Sequence, residues 1–272
     1  MFECVINVSE GRRVDVLDEL STAAGVSLRD RQSDATHNRS VFTLIHHRTE
    51  LRRNVQSFVV ATMKLLDLRH HEGVHPRFGV LDVVPFVALD PRKAEEAISM
   101  RNEVAAWVAD TFDVPVFLYG RLRDGSKRTL PEVRRHAFHS LMPDLGPLKP
   151  SPERGSSAIG ARPLLVAWNL WVRGISLGEA NIVAKALRRS EVRALAFEMP
   201  DDFIQISFNL IDPLRVTPSM VYDEAVDLLS VGTIDRVELV GLIPEALLQL
   251  ETPKRWKQLG LSKDATIESR LD

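Results

Sequence analysis

The chain opens on an apolar-dominated run, Phe2 to Val8, that reads as a buried strand, and Ser9-Glu10-Gly11-Arg12 turns out of it. Val14, Val16, Leu17 and Leu20 then recur at helical spacing, which predicts a helix to Ala24 with Gly25 as its C-cap. Val26 to Arg31 and Val41 to His46 read as strands flanking the polar turn Asp34-Ala35-Thr36-His37-Asn38-Arg39, and Glu50 to Leu68 as a long amphipathic helix. Val80 to Leu89 reads as a strand broken by Pro85, Pro91 to Phe112 as a helix, and Val114 to Tyr119 as a strand. From Gly120 to Ser157 the pattern is least regular, with a short helix near Leu130 to Phe138. Met142 to Gly155 holds four prolines, which predicts a shaped surface loop with little packing.

The pattern changes near residue 163. Beyond it lie a strand (Leu164 to Val172), a helix (Ser176 to Arg189), strands Arg193 to Met199 and Phe203 to Leu210 joined by a hairpin turn at Asp201-Asp202, a helix (Pro218 to Leu229) and a strand (Arg236 to Val240). We therefore expect two subdomains, 1–162 and 163–272. Strands mixed with hairpins favour an α+β class over a purely parallel sheet.

Composition narrows the function. Of 272 residues, 44% are apolar and 26% charged, ordinary for a globular protein, and the net charge of -2 supplies no field for nucleic acid. Cys4 is the one cysteine, so no intramolecular disulfide is possible and a reducing, cytoplasmic setting is expected. The N-terminal apolar run, with its early acid, reads neither as an export signal nor as a membrane anchor.

The densest chemistry lies in Arg69-His70-His71-Glu72-Gly73-Val74-His75-Pro76-Arg77-Phe78-Gly79. A solvated loop is the bland reading. Against it, Gly73, Pro76 and Gly79 define the backbone, and Arg77 puts a fixed cation beside His75, an imidazole suited to proton transfer near neutral pH. His71 to His75 also matches the zinc-hydrolase pattern H-E-x-x-H. That chemistry needs one continuous helix, which Gly73 weakens and Pro76 ends, so we expect no metal. Asp34 and Asn38 read as turn formers or as site groups, and Asn7-Val8-Ser9-Glu10-Gly11 is equally open: Ser9 as a helix cap, Glu10 as a site carboxylate. Gly155 to Arg162 lacks the ending of a phosphate loop and precedes a strand.

Several ordered blocks together resemble the formiminotransferase domain family. They are Glu3-Cys4-Val5-x-Asn7-x-Ser9-Glu10-Gly11, Asn38-Arg39-Ser40-Val41-x-Thr43, and His71-x-Gly73-x-His75-Pro76-Arg77-x-Gly79-x-x-Asp82-Val83-x-Pro85-Phe86. Val114 to Gly120, Thr129-Leu130-Pro131, Pro143-Asp144-x-Gly146-Pro147 and Gly155-x-x-x-x-Gly160-Ala161-Arg162 follow, with weaker blocks at Asn209 to Asp212 and Leu239 to Pro244. The resemblance implies two α/β sandwich lobes with mixed sheets, a ligand cleft between them, and a homodimer. It implies transfer of a formimino group from N-formimino-L-glutamate to N5 of tetrahydrofolate, in histidine breakdown and one-carbon metabolism. The residue matching His75 is then the proton acceptor, and Gly146, Pro147, Leu148, Lys149, Pro150, Ser151, Pro152, Glu153, Arg154 and Gly155 line the folate site.

With His75 we group Arg77 and Asp34 as catalytic candidates, and Asn7, Glu10, Asn38, Arg39 and Arg162 as substrate-binding candidates. The substrates carry carboxylates, which guanidiniums grip through paired hydrogen bonds. The sequence departs from the family pattern at Ile6, where proline is usual, and at His70, where arginine is frequent; the folate stretch lacks an aromatic. The alternatives are formyl transfer from N-formylglutamate, a folate-binding protein without turnover, and, remotely, the zinc hydrolase.

Overall fold

A computed structural model describes residues 1–271, which fall into two compact units, Met1–Pro163 and the residues from Leu164 onward. The first contains β1 (Phe2–Val8), α1 (Val14–Ala23), β2 (Leu28–Asp34), β3 (Arg39–His46), α2 (Arg48–Leu65), β4 (Leu81–Ala88), α3 (Ala94–Phe112), β5 (Val116–Arg121), β6 (Lys127–Arg128), α4 (Leu130–His136) and β7 (Ser157–Ala161). Its strands form one seven-stranded sheet in the order β2-β3-β1-β4-β7-β5-β6. β1 runs antiparallel to both neighbours, whereas β7 lies parallel between β4 and β5.

Alternation along the strands decides which face each helix covers. Phe2, Cys4, Ile6 and Val8 join Leu51, Val55 and Phe58 of α2 and Val104 and Val108 of α3 in the main core. Phe117 and Tyr119 point to the other face, where Val133 of α4 packs on them together with Val83 and Ala158.

Three expectations are corrected here. Pro85 does not break its strand, because the β1–β4 ladder passes from Cys4↔Phe86 to Asn7↔Val83 and does not call on the missing proline N–H. Ser157–Ala161, within the segment read as preceding a strand, is itself a fully buried central strand. At Gly160 a Cβ would come within 2.2 Å of the Tyr119 ring, so only glycine leaves that ring room. The second strand begins at Leu28 rather than Val26, because Gly25–Ser27 forms one 3₁₀ turn after α1.

The second unit contains β8 (Val166–Arg173), α5 (Leu177–Leu187), β9 (Val192–Met199), β10 (Phe203–Leu210), α6 (Pro218–Leu228), β11 (Thr233–Val240) and α7 (Glu245–Leu250). The sheet order is β11-β8-β10-β9 and every pairing is antiparallel, so mixed pairing is confined to the first unit. Asp201 and Asp202 both have positive φ, +60 and +58, and with Pro200 they form the tight hairpin connection between the paired Met199 and Phe203. Ala180, Val183 and Leu187 of α5 pack with Trp168, Ile206 and Phe208 on one face of this sheet. The class is α+β. Among the described residues no helix is long and apolar enough to cross a membrane.

Glu3 is a carboxyl inside the first sheet, 4% exposed. Burial pushes its pKa up to about 7, with the Arg162 charge opposing. The folded protein thus keeps this proton above the pH at which the unfolded chain loses it. The associated stability is complete below about 4.5 and is lost as pH rises through 7. Glu3→Gln should match the parent melting temperature at pH 4 and exceed it at pH 8. Thermal melts at the two pH values check this; the same difference at both would contradict it.

Candidate functional site

β1 and β4 lose register at one point: Asn7 faces Val83 but Val8 faces Leu81, which leaves Asp82 as the extra residue of a bulge. The bulge re-aims the Asp82 side chain, which is 0% exposed. Burial opposes its ionisation, but the Arg39 and Arg134 guanidiniums outweigh burial and hold the carboxyl below its ordinary range. Arg134 Nη2 donates to Oδ2 at 2.7 Å, Arg39 Nη1 donates to the same oxygen, and the Phe78 N–H donates to Oδ1 at 2.9 Å. Arg39 also donates from Nη2 (2.7 Å) and Nε (3.2 Å) to Oδ1 of Asn7, so β1, β3, β4 and α4 meet at one charge cluster.

His75 sits on that cluster. Its Nδ1 lies 2.7 Å from the Pro76 carbonyl, and because a carbonyl only accepts, Nδ1 carries the proton and Nε2 the lone pair. Arg39 Nη1 stands 3.5 Å from Nδ1, and the His37 ring meets the His75 ring edge-on at 5.8 Å. Burial and then the Arg39 charge push the His75 pKa down to about 3; Arg134 adds to this, while Asp82 and the Pro76 carbonyl oppose it. Near neutral pH the ring is therefore an uncharged acceptor.

The segment around His75 has no regular structure and is held by its neighbours. Asn38, in the left-handed region at φ 47, donates from Nδ2 to the Glu72 carbonyl and accepts from the Gly11 N–H, both at 2.9 Å. His71 Nε2 bonds the Asn38 carbonyl at 2.8 Å. At Gly73 a Cβ would meet the His37 carbonyl at 2.3 Å, so that glycine permits the close approach. His71 and His75 are not on a helix, and their rings lack the single-face arrangement of zinc hydrolases. Among the described residues no group of three or more His, Cys, Asp or Glu could hold a metal ion.

The other candidates divide. Asn7, Asn38 and Arg39 join His75, although both asparagines are occupied in holding the scaffold. Asp34 Oδ1 accepts from the Thr36 and His37 N–H groups, both at 2.7 Å, which is turn formation. Glu10 accepts from the N–H groups of Arg12 (2.8 Å) and Arg13 (3.0 Å) in the turn before α1, whose N-cap, Arg13, is not capped by any side chain. Ser9 instead donates to the Gly79 carbonyl at 2.8 Å. Arg77 is exposed and makes no ion pair among the described residues. Arg162 donates its N–H to the Phe86 carbonyl, four residues along β4 from Asp82, or roughly 13 Å by the strand rise. Its guanidinium donates to the Pro163 carbonyl at 3.0 Å and is not among the charges that act on His75.

The proline-rich stretch does reach the His75 turn. Gly79 and Gly155 pair across a β-bridge, and Arg154 O accepts from Val80 N at 2.9 Å. Glu153 O accepts from Leu68 N at 2.7 Å. Ser151 to Gly155 is thus knitted into the fold, contrary to the expectation of a loosely packed loop. The tip is open, with Leu148 63% exposed and Lys149 and Pro150 also exposed, and the Pro152 and Glu153 side chains face solvent as well. Asp82 and Arg134 escaped the sequence reading, as did His37 in its place beside His75. One signal for Asp82 was available: an acid inside the apolar run Val80 to Leu89 needs a buried cation.

The site brings a neutral imidazole, a buried carboxylate and two guanidiniums together on an α+β scaffold. Comparison with known proteins is specific. Residues 1–162 match the formiminotransferase domain, N-terminal subdomain. The whole chain aligns at 30% identity with 97% of the glutamate formimidoyltransferase of Thermoplasma acidophilum. It is 33% identical to that of Streptococcus pyogenes over 77% of each chain. The formimidoyltransferase-cyclodeaminase of Rattus norvegicus is 30% identical over 91% of this chain, which spans about half (51%) of that relative. The chain belongs to the formiminotransferase family, a family of transferase enzymes.

Gly155 has φ +69, and an added Cβ would meet the Phe78 carbonyl at 2.6 Å and Gly79 Cα at 2.7 Å. Gly155→Ala should cost roughly 1–3 kcal/mol, whereas Lys149→Ala at the tip should stay within about 0.5 kcal/mol. Denaturant unfolding of both variants checks this, and equal stability of the two would contradict the anchoring.

Proposed function

We propose that the protein transfers the formimino group of N-formimino-L-glutamate to N5 of tetrahydrofolate, with His75 as the proton shuttle. The observation that carries this reading is the His75 Nδ1 contact with the Pro76 carbonyl, which puts the basic lone pair on Nε2. The names of the relatives support the formimino group and the glutamate product. N5 attacks the formimino carbon while Nε2 removes the N5 proton. As the bond from that carbon to the glutamate nitrogen breaks, the imidazolium returns the proton to the leaving amine. A low imidazolium pKa suits the second half, since it makes the ring a strong acid once charged.

Burial lowers that pKa most and nearby positive charge lowers it further, and both substrates carry carboxylates. Paired with Arg77 or placed against the Arg39–Arg134 cluster, those carboxylates offset the guanidinium field and raise the basicity of His75 when substrate is bound. We assign the wall from Gly146 to Gly155 to the folate, because its anchored half adjoins Gly79, four residues from His75. The structural core of the site (Asn7, Glu10, Asn38 and Asp34) positions the turns, and Arg39 links them to Asp82.

His75→Gln keeps a polar group of similar size but cannot shuttle a proton. Turnover of N-formimino-L-glutamate with tetrahydrofolate, followed by folate absorbance, should fall ~10²–10⁴-fold, with folate affinity changed by less than about tenfold. N-formylglutamate as a parallel donor distinguishes formyl transfer. A folded His75→Gln protein with normal turnover would overturn the proposal.

A further inference from the structure

We propose that Arg134 is a positioning residue that fixes the His75 tautomer through the Pro76 carbonyl, an inference that rests on the reading of His75 as the base. The Pro76 carbonyl accepts two hydrogen bonds, from His75 Nδ1 at 2.7 Å and from Arg134 Nη1 at 3.3 Å. The second nitrogen of the same guanidinium, Nη2, holds Asp82 at 2.7 Å. One planar fork therefore ties the carbonyl that orients the imidazole to the buried carboxylate that anchors Arg39. Only arginine presents two donors in that fixed geometry.

The helix beneath Arg134 is short but firmly held. Thr129 and Glu132 form a reciprocal capping box, Pro131 lies in the first turn, and Val133 is fully buried in the cluster with Phe117 and Tyr119. Seven residues could not hold a helix alone; here the cap and the buried Val133 fix the backbone from which Arg134 reaches the turn. The neighbouring Arg135 and His136 are exposed.

With Arg134 in place the Pro76 carbonyl is held toward Nδ1, so the ring proton stays there and the lone pair stays on Nε2. Without it the carbonyl is free to turn and the ring can exchange tautomers, which leaves a fraction of molecules with a proton on the atom that must accept one. The charged and titratable groups about the ring are His37, Arg39, Asp82 and Arg134. Loss of the Arg134 charge alone lets His75 protonate at higher pH, whereas lysine retains the charge and loses the fork.

The test uses the full-length protein labelled with ¹⁵N-histidine, as parent, Arg134→Lys and Arg134→Gln. The tautomer is read from long-range ¹H–¹⁵N correlations at pH 7.5, alongside kcat, KM and the acid limb of kcat/KM. We expect a pure Nδ1–H pattern in the parent and mixed tautomers in both variants. Their kcat should drop about tenfold or more, below the ~10²–10⁴-fold loss of the base itself, with KM for folate within about threefold. The acid limb should move to higher pH in Arg134→Gln but not in Arg134→Lys. Arg134→Lys, which keeps a cation on Asp82, supplies the result if Arg134→Gln does not fold. A pure Nδ1–H pattern in a folded Arg134→Lys protein overturns the inference, whatever its turnover. Mixed tautomers in variants of a parent that transfers no formimino group would uphold the positioning and overturn the proposed function instead.

Discussion

Asp82 is a carboxylate removed from water, and it stays ionised because two guanidiniums close on it. An unpaired ion in that position would cost several kcal/mol, and removing either arginine from such a buried pair typically costs ~3–5 kcal/mol. That penalty locks the geometry of the site. Arg39 is drawn in from β3, Arg134 from α4, and the Phe78 N–H from the segment after the histidine turn. The bulge that extrudes Asp82 from β4 is therefore the point from which the arrangement around His75 is built.

The cluster is also electrostatically unbalanced. Two guanidiniums share one carboxylate, and a third, Arg77, stands exposed close by in sequence. Burial first and the excess positive charge second keep His75 neutral, and in the proposed reaction the substrate carboxylates enter that same field. The histidine turn needs no regular structure of its own. Gly73 lets it lie against the His37 carbonyl, Asn38 ties it to Gly11, and the Thr36 carbonyl accepts the Val74 N–H.

What the sequence disclosed follows from the range of the forces involved. β1 and β10 have the residue limits that their patterns predict, and the Asp201-Asp202 turn announces its left-handed backbone, because these are local preferences. β7 does not announce itself: Ser-Ala-Ile-Gly-Ala has no period, and its strand state comes from parallel partners far along the chain. His75 was legible from the density of its turn. Arg134 was not, since nothing in Leu130–His136 distinguishes it from Arg135, and its carboxylate partner lies 52 residues away. Asp34 and Glu10 read as turn formers or site acids in the sequence and hold turns in the fold, because carboxylates satisfy backbone N–H groups equally well.

The central claim is that His75 is a neutral base held by its carbonyl contact in a cationic field. The most direct measurement is the pH titration of the His75 Cε1 resonance in the ligand-free protein, assigned by its absence from His75→Gln. The account expects no protonation from pH 8 down to 5, with a midpoint far below the ordinary 6.5. A midpoint at or above 6.5 would contradict it.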